Sequence, residues 1–211
     1  MSSPYVYYGF DVDSEYEITV VGDNTMPLRV LRLLAECLEN SKPDQATFAL
    51  AVLPLEYEWR DRSERPSVQC RTDSAGIDLT VQLSGTIHEL TRDENGVLCI
   101  DLCLIRERDV TAAQMEGLLP IDAGRNAVVL VAASDTVQET ELVKDGYHGA
   151  GVDSGPLSLY MLSDGDVVTL DCALERSCHH PEDLWDVHLI CNRIYLLHAV
   201  PHFAQVHGFA P

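Results

Sequence analysis

From Ile77 to Ser84 the sequence alternates strictly between apolar and polar residues. Successive side chains of an extended strand point to opposite faces, so this pattern describes a strand with one face in a core. Ile77, Leu79, Val81 and Leu83 are expected on the core side, and Asp78, Thr80, Gln82 and Ser84 on a polar side. Two more extended runs follow, Ile87–Thr91 and Val97–Ile105, around Asn95-Gly96. That dipeptide favours the type I′ turn of a tight hairpin. The centre of the chain must therefore build a sheet.

The flanking segments extend the same reading. Residues 5–10 and 16–21 read as a pair of N-terminal strands. Asn24 or Thr25 can cap a helix with Pro27 in its first turn, and Val30, Leu31, Leu34, Cys37 and Leu38 give it one apolar stripe. Ala46–Leu53 reads as a buried strand, and Leu55–Trp59 as its continuation. Asp61–Pro66 is charged and turn-like, which marks it as the internal boundary. Val110–Gly117 suggests a short helix, and Ala127–Ala133, Pro156–Leu162 and Asp166–Leu174 suggest strands, with Val137–Val143 at an edge. Val187–Val200 is too long for one flat strand and should break near Asn192-Arg193. The expected fold is mainly β within the α+β class: a β-sandwich or distorted barrel with one amphipathic helix packed against it. Residues 1–65 would form a β-α-β segment packed on a main β domain of residues 66–211, or the whole chain would be a single domain.

Charge limits the choice of partner. Thirty-four acidic and fourteen basic residues give a net charge of −20. Such a surface repels nucleic-acid phosphates and anionic membranes, and it attracts basic proteins. The acidic residues Asp11, Asp13, Glu15, Glu17 and Asp23 crowd the N-terminal strands and are the expected partner-binding set. No apolar segment reaches the roughly 18 residues of a membrane span. Seven cysteines, an odd number placed partly in apolar runs, fit free thiols in a reducing, intracellular compartment better than a secreted disulfide framework.

Two clusters could carry metal chemistry. Cys178, His180, His188 and Cys191 have the donor types that zinc takes, although a polar loop entering a strand would hold the same residues. The second cluster comes with a family resemblance. Ser74-Ala-Gly-Ile-Asp-Leu79, Gly151-Val-Asp-Ser-Gly155 and Gly165-Asp-Val-Val168 occur in the order of the first, third and fourth motifs of the trimeric dUTPase family. Residues 73–176 thus resemble dUTPases and their non-catalytic relatives. The resemblance implies a Mg²⁺-dependent nucleotide hydrolase with Asp78, Asp153 and Asp166 at its metal and water sites. The departures are large: the phosphate-holding Arg-Ser-Gly motif is missing, Asp153 lacks the accompanying Tyr, and Leu170 stands where the fourth motif carries Gln. Only Gly208-Phe209 resembles part of the glycine-rich fifth motif.

These features favour a non-enzymatic acidic interaction module, of inhibitor or immunity and host-interaction type, over a divergent hydrolase or a zinc-stabilised binding module.

Overall fold

The computed structural model describes residues 5–10, 16–21, 28–62, 65–73, 75–124, 127–133, 139–142, 156–159, 162–178 and 184–199. An N-terminal hairpin of β1 (Tyr5–Phe10) and β2 (Tyr16–Val21) pairs antiparallel and forms its own two-stranded sheet. Helix α1 (Leu28–Leu38) leads to the short strands β3 (Ser41–Lys42) and β4 (Thr47–Ala49). The main sheet then takes β5 (Glu58–Arg62), β6 (Arg65–Thr72), β7 (Thr80–Arg92) and β8 (Leu98–Leu104). After helix α2 (Glu107–Met115) come β9 (Val128–Ala133), β10 (Glu139–Leu142), β11 (Pro156–Ser158), β12 (Val167–Ser177) and β13 (Asp186–His198).

The strand order is β11-β10-β13-β9-β8-β7-β12-β6-β5, and β12 also pairs with β13. The ladders therefore link β7, β8, β9, β13 and β12 one to the next, and the sheet curls toward a distorted barrel. The fold is mainly β, as the alternation predicts. Inside the curl, Val81 and Leu83 of β7 meet Ile100 and Leu102 of β8, Val129 and Val131 of β9, Leu170 and Leu174 of β12, and Leu189 and Ile194 of β13. Gly85 is needed where β7 and β8 come closest: a Cβ there would lie 2.5 Å from Leu102 Cγ and 2.6 Å from the Cys103 carbonyl.

Helix α1 covers the outer face of the sheet. Its Val30, Leu34 and Leu38 form a second core with Ile105, Val167 and Leu197. This second layer corrects the reading of the polar strand face. Ser84 is buried and shares a 2.8 Å hydrogen bond with Thr169, while Gln82 accepts from Asn40 and donates to Asp171. Ile77, expected in the core, is 55% exposed, because it lies beyond the end of β7 and outside the curl.

Other expectations shift for local reasons. The β7–β8 connection is not a two-residue type I′ turn. Gly96 alone takes a positive φ, +83°, and its N–H bonds the Asp93 carbonyl. The Asp93 carboxylate accepts from the N–H groups of Asn95 and Val97, so this side chain shapes a longer loop. Ala46–Leu53 holds only the short β4 and a 3₁₀ turn over Leu50–Val52. β5 and β6 pair antiparallel, with Arg62 opposite Arg65. β10 lies between β11 and β13 rather than at an edge. The expected break in the last strand is a bulge: Cys172 pairs with Cys191 but Asp171 with Arg193, which leaves Asn192 extra.

Candidate functional site

The residues richest in chemistry meet at the corner where β5, β6, β12 and β13 lie side by side. Cross-strand register sets Arg60 opposite Cys70, Cys70 opposite Glu175, and Glu175 opposite His188. Directly opposed residues share a face, so these four form one row across four strands. Two residues along β5, Arg62 reaches back into the row. Its Nε donates to Cys70 Sγ at 2.8 Å, and its Nη2 lies 3.1 Å from Glu175 and 3.5 Å from Asp78. His188 Nε2 is 3.9 Å from the other Glu175 oxygen.

Beside the row is an open cleft of about 290 Å³, bordered by Arg60, Arg62, Cys70, Thr72, Gly76 and Asp78. A turn holds its rim: the Asp73 carboxylate accepts the Ile77 N–H at 2.8 Å, and Gly76 takes a φ of +83°. Thr72 is buried at this rim, and its hydroxyl has no hydrogen-bond partner among the described residues.

The electrostatics make this an ion-pair network rather than a nucleophile site. Burial and the neighbouring Glu175 carboxylate push the Cys70 thiol up to about 11, against the opposing pull of Arg62. A thiol held protonated is a hydrogen-bond group, and Cys70 donates to Glu175 at 3.5 Å.

The opposite face of the same corner carries a stack of arginines and indole rings. Interior-facing positions continue past the core as Arg176, two residues beyond Leu174, and Trp185, two residues before Val187. The Arg176 guanidinium lies 4.7 Å from the Trp59 ring and 4.7 Å from the Trp185 ring. Arg71 sits 5.7 Å from Trp59 and pairs with Glu116 at the end of α2. Burial and the neighbouring Arg71 charge pull Arg176 below the usual guanidinium range. Its Nε donates to Gln69 at 2.7 Å.

The sequence-predicted residues divide. Asp78 joins the cleft network. Asp166 does not: it is buried in the turn before β12 and accepts the Ser163 N–H at 3.0 Å. Strand β12 runs antiparallel to β7, so Val167 meets Thr86 while Ala173 meets Thr80. Asp78 and Asp166 thus lie at opposite ends of this ladder, on the order of 25–30 Å apart at strand rise. Asp153 lies outside the described residues.

The zinc-type donors also diverge. Cys191 points into the barrel core beside Cys172, and His188, three residues earlier, points to the outer face by strand alternation. Cys178 follows the end of β12, where its N–H bonds the Ser67 carbonyl, and His180 lies outside the described residues. Among the described residues no three His, Cys, Asp or Glu side chains are grouped to hold a metal ion. The seven cysteines are free thiols. No helix of the described residues is long and apolar enough to cross a membrane. Of the acidic partner set, Asp11, Asp13, Glu15 and Asp23 lie outside the described residues, and Glu17 is placed in β2 by its backbone alone.

The sequence reading missed Arg62, Cys70, Glu175, Trp59, Arg176 and Trp185. Two signals were present: the chain has only two tryptophans, and Glu175 is the first acid after the apolar run Cys172–Leu174. No protein-family model matches this chain, and neither the curated proteins nor the solved structures contain a match to it.

Proposed function

We propose that this chain is a non-enzymatic protein–protein interaction module, of inhibitor or immunity and host-interaction type, which binds a basic partner through its acidic surface. One observation carries the reading: among the described residues, five arginines are engaged by groups of the same chain. Arg62, Arg71, Arg106 and Arg108 pair with carboxylates of the same chain, and Arg176 stacks on indole rings. Acids such as Glu36, Asp44, Glu56, Glu94, Asp122 and Asp164 meanwhile stand exposed. The net charge of −20 is therefore carried outward, where it can steer a cationic protein over a Debye length of about 8 Å at physiological salt.

The test is the association rate with a partner captured from the native host, measured from low to high ionic strength. The rate should fall steeply as salt rises, by roughly tenfold or more. A salt-independent rate would remove the basis of the proposal. Magnesium-dependent pyrophosphate release from deoxynucleotides, abolished by Asp153→Asn, would replace it with the hydrolase reading.

A further inference from the structure

Strand β5 (Glu58–Arg62) ends the main sheet: among the described residues it has a ladder with β6 and with no other strand. An edge strand shows a row of unpaired backbone N–H and C=O groups on its open side. The register identifies them. The Arg71 carbonyl of β6 accepts from the Leu79 N–H at 2.8 Å, so Arg71 turns its backbone groups away from β5. Residues directly opposed in an antiparallel ladder either exchange both hydrogen bonds or both face away. Trp59, opposite Arg71, therefore directs its N–H and C=O to the open edge. Asp61, two residues on, does the same by strand alternation. At the other end of the sheet β11 is shorter and begins with Pro156, which has no N–H to offer.

Side chains decide what can pair there. Glu58, Arg60 and Arg62 share the outer face, with Trp59 and Asp61 on the other, and Glu58, Arg60 and Asp61 are exposed. Charges on an edge strand normally repel stray strands. Against a second copy of the chain, this charge order has the opposite effect. Two identical strands that pair antiparallel are related by a two-fold axis normal to the sheet. Opposed residues share a face, so the axis passes between the two copies of one residue. At Glu58, Arg60, Asp61 or Arg62 a charge would meet itself, and Trp59 is the uncharged residue of the five. With the axis at Trp59, Glu58 opposes Arg60 of the second copy, and Arg60 opposes its Glu58. The two Trp59 N–H groups then donate to the two Trp59 carbonyls. The segment also suits the approach of two acidic chains: residues 58–71 carry four arginines against three acids, in a chain of net charge −20.

We infer that β5 is a homodimer edge: two copies of this chain pair through it, antiparallel about Trp59, which joins their sheets. The row Arg60, Cys70, Glu175 and His188 then continues across the axis to Glu58 of the second copy. A single five-residue strand buries little surface, so the dimer is weak and forms at high concentration. The inference goes beyond the basic-partner reading and does not depend on it.

Sedimentation equilibrium of the full chain at physiological salt, from about 10 μM to about 1 mM, reads the association. The weight-average mass of the wild type should rise from 23.4 kDa toward twice that value. Glu58→Arg sets cation against cation at both pairs beside the axis, and Arg60→Glu sets carboxylate against carboxylate. Each should weaken the dimer about tenfold or more. Mixing the two variants restores opposite charges at both pairs, so the mixture should dimerise as the wild type does, and so should Glu58→Arg/Arg60→Glu. Both positions are exposed, and unchanged melting temperatures establish that the variants fold. A wild type that stays at 23.4 kDa over the whole range overturns the inference. So does a single variant that dimerises unimpaired, or a mixture that associates no better than either variant alone.

Discussion

Two arginines of this protein each bridge two carboxylates, with opposite consequences. Arg106 is buried between the helices, and its Nε and Nη2 donate to the two oxygens of Asp109 at 2.9 Å each. It also pairs with Glu39 and donates to the Leu38 carbonyl at the end of α1. Its side chain is 4% exposed, as is that of Asp109. Arg62 bridges Glu175 and Asp78 from the edge of the sheet with a side chain 45% exposed. The first arginine is a clip that locks α1 to α2, because its Nε and Nη2 donors are held out of water by Asp109 and the Leu38 carbonyl. The second is a surface bridge whose partners water can replace.

Breaking the clip should give the largest effect. Arg106→Ala leaves Asp109 buried without its cation and should cost about 3–5 kcal/mol in urea unfolding. Arg62→Ala, in half-exposed surroundings, should cost about 1 kcal/mol or less. The comparison sharpens with Arg106→Met/Asp109→Leu, which removes both charges and should recover most of the loss. Equal losses for Arg106→Ala and Arg62→Ala would show that the corner network is as structural as the clip.

The contrast also explains what the sequence could reveal. Local periodicity made the strands and the helix stripe at Val30, Leu34 and Leu38 legible, because each depends on residues close in the chain, whereas the length of the last segment pointed to a break near Asn192 where the strand in fact continues through a bulge. The corner depends on register between distant segments. Cys70 meets Glu175 across 105 positions, and nothing near Cys70 announces it. Arg62 reads as part of the charged turn Asp61–Pro66, because an edge strand rich in charge has the composition of a loop. The misplacement of Ile77 has the same origin: alternation gives its direction, but only the closing strands decide where the core ends. The burial of Ser84 required knowing that α1 folds back over the outer face.

At the cleft, the buried Thr72 hydroxyl gives a prediction of opposite sign. An unsatisfied buried polar group costs about 1–3 kcal/mol, and valine keeps the shape without the oxygen. Thr72→Val should therefore be neutral or raise stability by about 1 kcal/mol, read as the shift in urea midpoint. A clear loss of stability would mean that the hydroxyl has a partner, and the cleft would then rank with the clip as a fully bonded site.

The smallest effect concerns the proton on Cys70, which burial and the Glu175 carboxylate hold from its ordinary 9.0 up to about 11. The folded protein keeps this proton over a range where the unfolded chain has released it. The stabilisation from Cys70 is thus complete below pH 9 and is lost as pH rises through about 11. Cys172, raised by burial and the adjacent Cys191, and Tyr195, raised to about 12 chiefly by burial, decline over overlapping ranges, so the slope of the wild type alone is not diagnostic. The informative quantity is the stability difference between wild type and Cys70→Ala, in which those contributions cancel. It should shrink steadily across the window from pH 9 to about 11 set by that thiol. Removing Arg62, which opposes the shift, should move the window upward. A difference that stays constant with pH would place the Cys70 proton outside the network and leave Arg62 as an ordinary surface bridge.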